Sequence, residues 1–305
     1  MRKRPGCFKT GCFGCLGVLA LIIVIVGINF LIAWSRLGDT QIQDRELSPS
    51  ARLEPAPTET GQAPIDPAAA GRVMLNLSQG EFHLYPAEPG EGLKVQARYD
   101  EDMYQLDERF ETPPDSAWTY SIEFYRTMPW MQALFRQILG EAEDPVVKIY
   151  LPRDVPIELG LIIQEGGMEA DLGGLWLIDA EILFNKGGFA LDVSEPLRVP
   201  VERLKIHGSM GGFEAENLGN ASPSILDIDC RMGGADIDLR GPWQNDCAID
   251  LSVRMGGMAV LAPRDVRIDG VPTITSSGLR DDGEVPVPRL TFRLQQSMGE
   301  IEVDQ

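Results

Sequence analysis

A chain of 305 residues with 44% apolar content is long enough to bury a core in one or two domains. Its 27 basic and 46 acidic residues leave a net charge of −19. A field of that sign repels nucleic acid and anionic lipid headgroups, so partners are expected to be neutral, cationic or metal ions. The balance is uneven, because Arg2, Lys3, Arg4, Lys9 and Arg36 all precede the first acid, Asp39, leaving 22 basic against 46 acidic residues over the rest.

Residues 1–11 form a basic segment, and the run CFGCLGVLALIIVIVGINFLIAW from Cys12 to Trp34 carries only Asn29 as a strongly polar residue. This predicts a transmembrane helix over 12–34. A cleaved signal peptide would have a shorter apolar run ending in small residues, whereas this one ends in Leu31, Ile32 and Trp34. The positive-inside tendency places the N-terminus in the cytoplasm and the remainder outside. Cys7, Cys12 and Cys15 then sit at the inner face, where C-x4-C-x2-C without histidine makes a poor zinc site; they read as small apolar filler or as acylation sites. Cys230 and Cys247 fall on the outer side, where a disulfide between them is possible.

Residues 35–70 are rich in Pro, Ala, Thr and Gln and read as a flexible linker. From residue 71 the texture changes to short alternating apolar stretches such as RVMLNLSQGEFHLY, GLKVQARY and VVKIYLPRDVPIELGLIIQ, broken by Pro, Gly and Asp, which predict strands over 71–305. One segment differs: TMPWMQALFRQILGEAEDP has Pro129 suited to a first helical turn and Gly140 to a stop. Trp130, Met131, Leu134, Phe135 and Ile138 lie along one face, predicting a short amphipathic helix over 128–140 that caps an open apolar end or docks a partner.

An internal repeat organises the C-terminal half. Glycine pairs stand at Gly166–Gly167, Gly187–Gly188, Gly211–Gly212, Gly233–Gly234 and Gly256–Gly257, followed by single Gly278 and Gly299, in steps of 21, 24, 22, 23, 22 and 21 residues. Met210, Met232, Met255 and Met298 precede four of them. After the glycines the chain alternates, as in MEADL, FALDV, FEAEN and ADIDL, the period-2 pattern of half-buried strands. A corner recurring every 22 or so residues needs a residue that adopts positive φ at little cost, which glycine supplies. The expected fold is therefore all-β: a solenoid-like stack of glycine-punctuated strands with one short amphipathic helix, preceded by a single transmembrane helix.

The run VVKIYLPRDVPIELGLIIQEGGMEADLGGLWLIDAEILFNKGGFALDV resembles the toast-rack domain of bacterial envelope proteins, and MGGMAVLAPRDVRIDG with SMGEIEV resembles the C-terminal domain of LiaF-type cell-wall-stress proteins and the adhesin-type β-repeat domains. The resemblance spans about residues 71–305. It implies a non-enzymatic, envelope-located module anchored in the bacterial cytoplasmic membrane, serving adhesion, sensing or regulation of envelope stress through protein or cell-wall contacts. LiaF-type proteins resemble multi-pass membrane chains, whereas this chain has one candidate span.

Enzyme readings are limited by supply. His83 and His207 are the only histidines, no phosphate loop or dinucleotide fingerprint occurs, and no cofactor is implied. In-register coils would align Glu169, Asp171, Asp192, Glu214, Glu216, Asp236, Asp238, Glu302 and Asp304 as an acidic strip, either a cation or cationic-peptide site or a solvated face that discourages edge pairing. A carbohydrate-active β-helix enzyme and a laterally self-assembling scaffold are the alternative readings.

Overall fold

The computed structural model describes residues 20–29, 31, 42–48, 70–112, 118–129, 143–271 and 287–305. Thirteen strands follow in chain order. They are β1 (Ile42–Leu47), β2 (Gly71–Pro86), β3 (Lys94–Asp100), β4 (Tyr104–Glu111), β5 (Thr119–Arg126), β6 (Val146–Leu151), β7 (Ile157–Asp171), β8 (Leu177–Asp192), β9 (Arg203–Glu216), β10 (Ile225–Asp238), β11 (Cys247–Leu261), β12 (Arg267–Asp269) and β13 (Arg289–Asp304). The all-β expectation holds for the described part of 71–305.

Contacts divide the chain into two compact units. The larger comprises Asp44–Arg98, Gln105–Tyr125 and Asp144–Gln305, and the smaller Met1–Gln43, Tyr99–Tyr104 and Arg126–Glu143. Within the smaller unit residues 20–29 are helical, and Asn29 donates its side-chain amide to the Ile25 carbonyl at 2.8 Å. Among the described residues no helix is long and apolar enough to cross a membrane. Most of the apolar run flanking 20–29, residues 130–140 of the expected amphipathic helix, the N-terminal cysteines and Gly278 lie outside the described residues.

Strands of the larger unit pair in the order β2, β7, β8, β9, β10, β11, β13, all parallel, and from β7 to β11 each strand lies beside the next one in sequence. The glycines set the register: Gly80, Gly166, Gly187, Gly211, Gly233, Gly256 and Gly299 fall in one row. From β7 to β11 the described residues join these parallel neighbours through turns instead of α-helical crossovers, as a repeat of about 22 residues requires.

The corner changes the phase of the alternation. In β11, Cys247, Ile249, Leu251 and Val253 are buried before the glycines, and Met258 and Val260 after them, so the buried positions pass from odd to even numbers. In a straight strand that shift would turn the second set outward. A bend at Gly256, φ +133°, keeps both sets inside. Burying each of these aliphatic side chains stabilises the fold by roughly 1.5–3 kcal/mol before chain entropy is counted. Phe184 adds ring contacts to Phe189 and Phe213, at 5.6 and 5.4 Å between centroids.

At the start of this ladder β2 is covered along its first half by β5 and along its second half by β6. β3 runs antiparallel to β6, and β1 lies next to β3. Strand β1 falls inside the stretch expected as linker. Its sequence IQDREL is mostly polar, yet it alternates, and Glu46 pairs with Lys94 at 3.0 Å.

The Cys230–Cys247 disulfide that the sequence left possible is absent: both thiols are free and buried. Register explains this, because Cys230 pairs with Val253, six residues along β11 from Cys247, a separation of roughly 20 Å at the usual strand rise. Burial pushes the Cys247 thiol up to about 12 and, with the charge of Asp229, raises Cys230 as well.

Candidate functional site

The acidic residues singled out from the repeat do align, but in two rows with different surroundings. One row reads His83, Glu169, Ala190, Glu214, Asp236, Ala259, Glu302 across β2, β7, β8, β9, β10, β11 and β13. Every member from Glu169 onward is exposed, and Ala190 and Ala259 interrupt the charge. The second row, two residues further on, reads Asp171, Asp192, Glu216, Asp238, Leu261, Asp304, with Glu216 set beside Asp238 by the adjacent pairing of Ala215 and Ile237.

Several second-row acids hold the turns. Asp171 accepts hydrogen bonds from the Gly173 amide at 2.8 Å and the Ser194 hydroxyl at 2.7 Å. Asp192 accepts from the Asn217 side chain at 2.9 Å. Asp238 accepts from the Arg240 amide at 2.8 Å and from its guanidinium. Burial raises the Asp238 carboxyl, but the hydrogen bonds and charge of Arg240 outweigh it and hold the group below the usual range. Asp171 and Asp192 thus tie adjacent repeats together, whereas Asp238 braces its own turn.

The first row borders an open groove of about 560 Å³ whose floor is Gly167, Gly188, Gly212 and Gly234. A Cβ added at Gly167, Gly188 or Gly234 would meet nothing within 4 Å, and none of these glycines has a positive φ. The floor is therefore bare backbone by composition, not because the chain path excludes a side chain. At one end His83 stands with its Nε2 2.9 Å from Glu81 and its Nδ1 3.1 Å from the Tyr85 hydroxyl and 3.4 Å from Glu169. Burial, then the charge of Glu169, raises the Tyr85 phenol. Sequence reasoning placed His83 alone, yet Glu81, His83 and Tyr85 alternate on one strand and so share a face. That period-2 spacing was the available signal. The other histidine, His207, lies 3.3 Å from Asp227.

Among the described residues no group of three or more His, Cys, Asp or Glu side chains could hold a metal ion. The reason is geometric: the acids are strung along the ladder, one per strand and with gaps, instead of converging on a point. The groove can offer an extended anionic border over a flat floor.

No protein-family model matches the sequence, and no curated protein does. Among solved structures, the chain is similar to a cell adhesion candidate from Clostridium sporogenes at 11% identity and a TM-score of 0.36, covering 87% of this chain and 99% of that one. It is likewise similar to an adhesin candidate from Bacteroides fragilis at 8% identity and a TM-score of 0.32, covering 87% and 98%.

Proposed function

We propose that this protein is a non-catalytic module of the bacterial cell envelope, in which a solenoid-type stack spanning residues 71–305 serves adhesion, sensing or stress regulation through contacts with a protein or the cell wall. The observation that carries this reading is the repetitive, acid-bordered groove along the glycine corner, a surface suited to extended contact. The basic residues 1–11 lie inside, the apolar run 12–34 anchors the chain in the cytoplasmic membrane, and residues 35–70 connect the anchor to the stack.

The test uses full-length protein tagged at each end in whole cells. Protease added from outside is expected to remove the C-terminal tag and spare the N-terminal one, and cell-wall sacculi or an envelope protein is expected to be retained by the wild type. Replacing Glu169, Glu214 and Asp236 together by Gln is expected to lower that retention. Cytoplasmic protection of the C-terminal tag would sink the placement, and undiminished retention by the triple variant would sink the groove.

A second reading, end-to-end self-assembly, draws on the far edge of the ladder. Among the described residues β13 is paired on that side only at Arg289–Thr291, by β12, which leaves the strand edge from Phe292 onward open. An open edge of that length is a template for strand addition. Sedimentation of the full chain in detergent across a range of concentrations tests it, and a mass fixed at one copy counts against it.

A further inference from the structure

We infer that the methionine column at the ladder corner is a thioether binding site for a soft monovalent metal ion, copper(I) or its redox-inert surrogate silver(I). Met232 pairs with Met255, and Met255 with Met298; Met210 stands next in line, since the flanking residues Gly208 and Gly211 pair with Cys230 and Gly233. Four methionines thus occupy one position on four neighbouring strands. Adjacent strands lie roughly 4.8 Å apart, and the flexible methionine side chain lets neighbouring sulfurs lean together.

Burial does not account for these residues. They are 45%, 39%, 40% and 74% exposed in chain order, among the most exposed large apolar side chains of the ladder. On the two strands before Met210 the same column holds Glu165 and then Lys186, which pair with each other at 2.6 Å, so the corner accepts polar side chains and water. Strand propensity does not account for them either, because exposed strand positions favour β-branched or polar residues. What methionine brings there that other apolar residues lack is its sulfur. Thioethers select copper(I) over the hard and borderline ions that carboxylates or imidazoles take. Across the glycine corner Glu214, Asp236 and Glu302 supply a negative field that draws cations toward the column without competing for a soft one.

The column contains two overlapping triplets of neighbours, Met210, Met232, Met255 and Met232, Met255, Met298. Met232 and Met255 belong to both, which sets an order of importance that a purely apolar ridge would not show.

The experiment uses the full chain in detergent with Cys7, Cys12 and Cys15 replaced by Ser and the buried free thiols Cys230 and Cys247 by Ala, so that thiols do not outcompete thioethers, and with methionine methyl groups labelled for NMR. Added silver(I) is expected to shift the methyl resonances of Met210, Met232, Met255 and Met298 saturably, leaving the buried Met168 and Met258 in place. Met232→Leu or Met255→Leu, which preserves apolar volume and fold, is expected to weaken binding about tenfold or more, and Met298→Leu by less. No shift in the four resonances, an equal shift with zinc(II), or unchanged affinity in Met232→Leu would each overturn the proposal.

Discussion

The two glycines of each pair stand one residue apart, yet their surroundings have little in common. At the first, represented by Gly233, φ is +138° and an added Cβ would collide with the carbonyl of Gly211 on the neighbouring strand. At the second, Gly234, backbone strain is absent and the space is open. The first column is what the bend requires, and the second lines the groove. A motif that looks uniform in sequence thus divides into a folding element and a surface element, and a pair of glycines need not have one explanation.

Substitutions can break or sharpen this division. Gly233→Ala is expected to have the largest effect, destabilising by about 4 kcal/mol through strain and backbone collision combined, or preventing folding outright. Thermal unfolding followed by circular dichroism measures it, and a loss under about 1 kcal/mol would mean that the corner can relax. Leu251→Ala, at a fully buried position before the corner, is expected to lose about 3 kcal/mol in the same assay, so that the bend outranks an ordinary core contact.

Arg240→Ala probes the brace at a turn rather than the corner, and only a small loss is expected because the guanidinium is exposed. Its pH signature is more telling. The native Asp238 carboxyl titrates below its unfolded value, so its stabilisation is present above the unfolded pKa and disappears as pH falls through the folded one. The variant is expected to lose that acid-range contribution, which denaturant titrations at pH 7 and at pH 3 would reveal as a narrower gap between the two pH values. The smallest effect belongs to Gly234→Ala, expected to leave stability unchanged or raise it by up to about 1 kcal/mol through a stiffer unfolded chain. A large loss there would erase the distinction between the columns.

Much of the ladder was legible in advance because its determinants are local: glycine at a positive-φ corner and period-2 alternation on either side can be read from a few consecutive residues. The phase change across the corner was legible too, since the apolar set resumes at Met168 or Phe213 wherever the bend places the interior. Features that depend on neighbouring coils were not. The Cys230–Cys247 pairing failed because the register puts the two thiols far apart along adjoining strands. The acidic strip was read as one surface, whereas Asp171, Asp192 and Asp238 turned out to bind turn groups. An Asp two residues before Gly173 was a local sign of that role. Strand β1 escaped notice because IQDREL resembles a solvated segment until Lys94 and Gln96 stand beside Glu46.

The sequential order of β7 to β11 means that this ladder changes only in whole steps. Each coil meets the one before and the one after through the same row of corner glycines, so removing one complete repeat would bring two like surfaces together, whereas removing part of one would misalign every row beyond it. Each added or deleted coil would change the reach of the stack by roughly 4.8 Å.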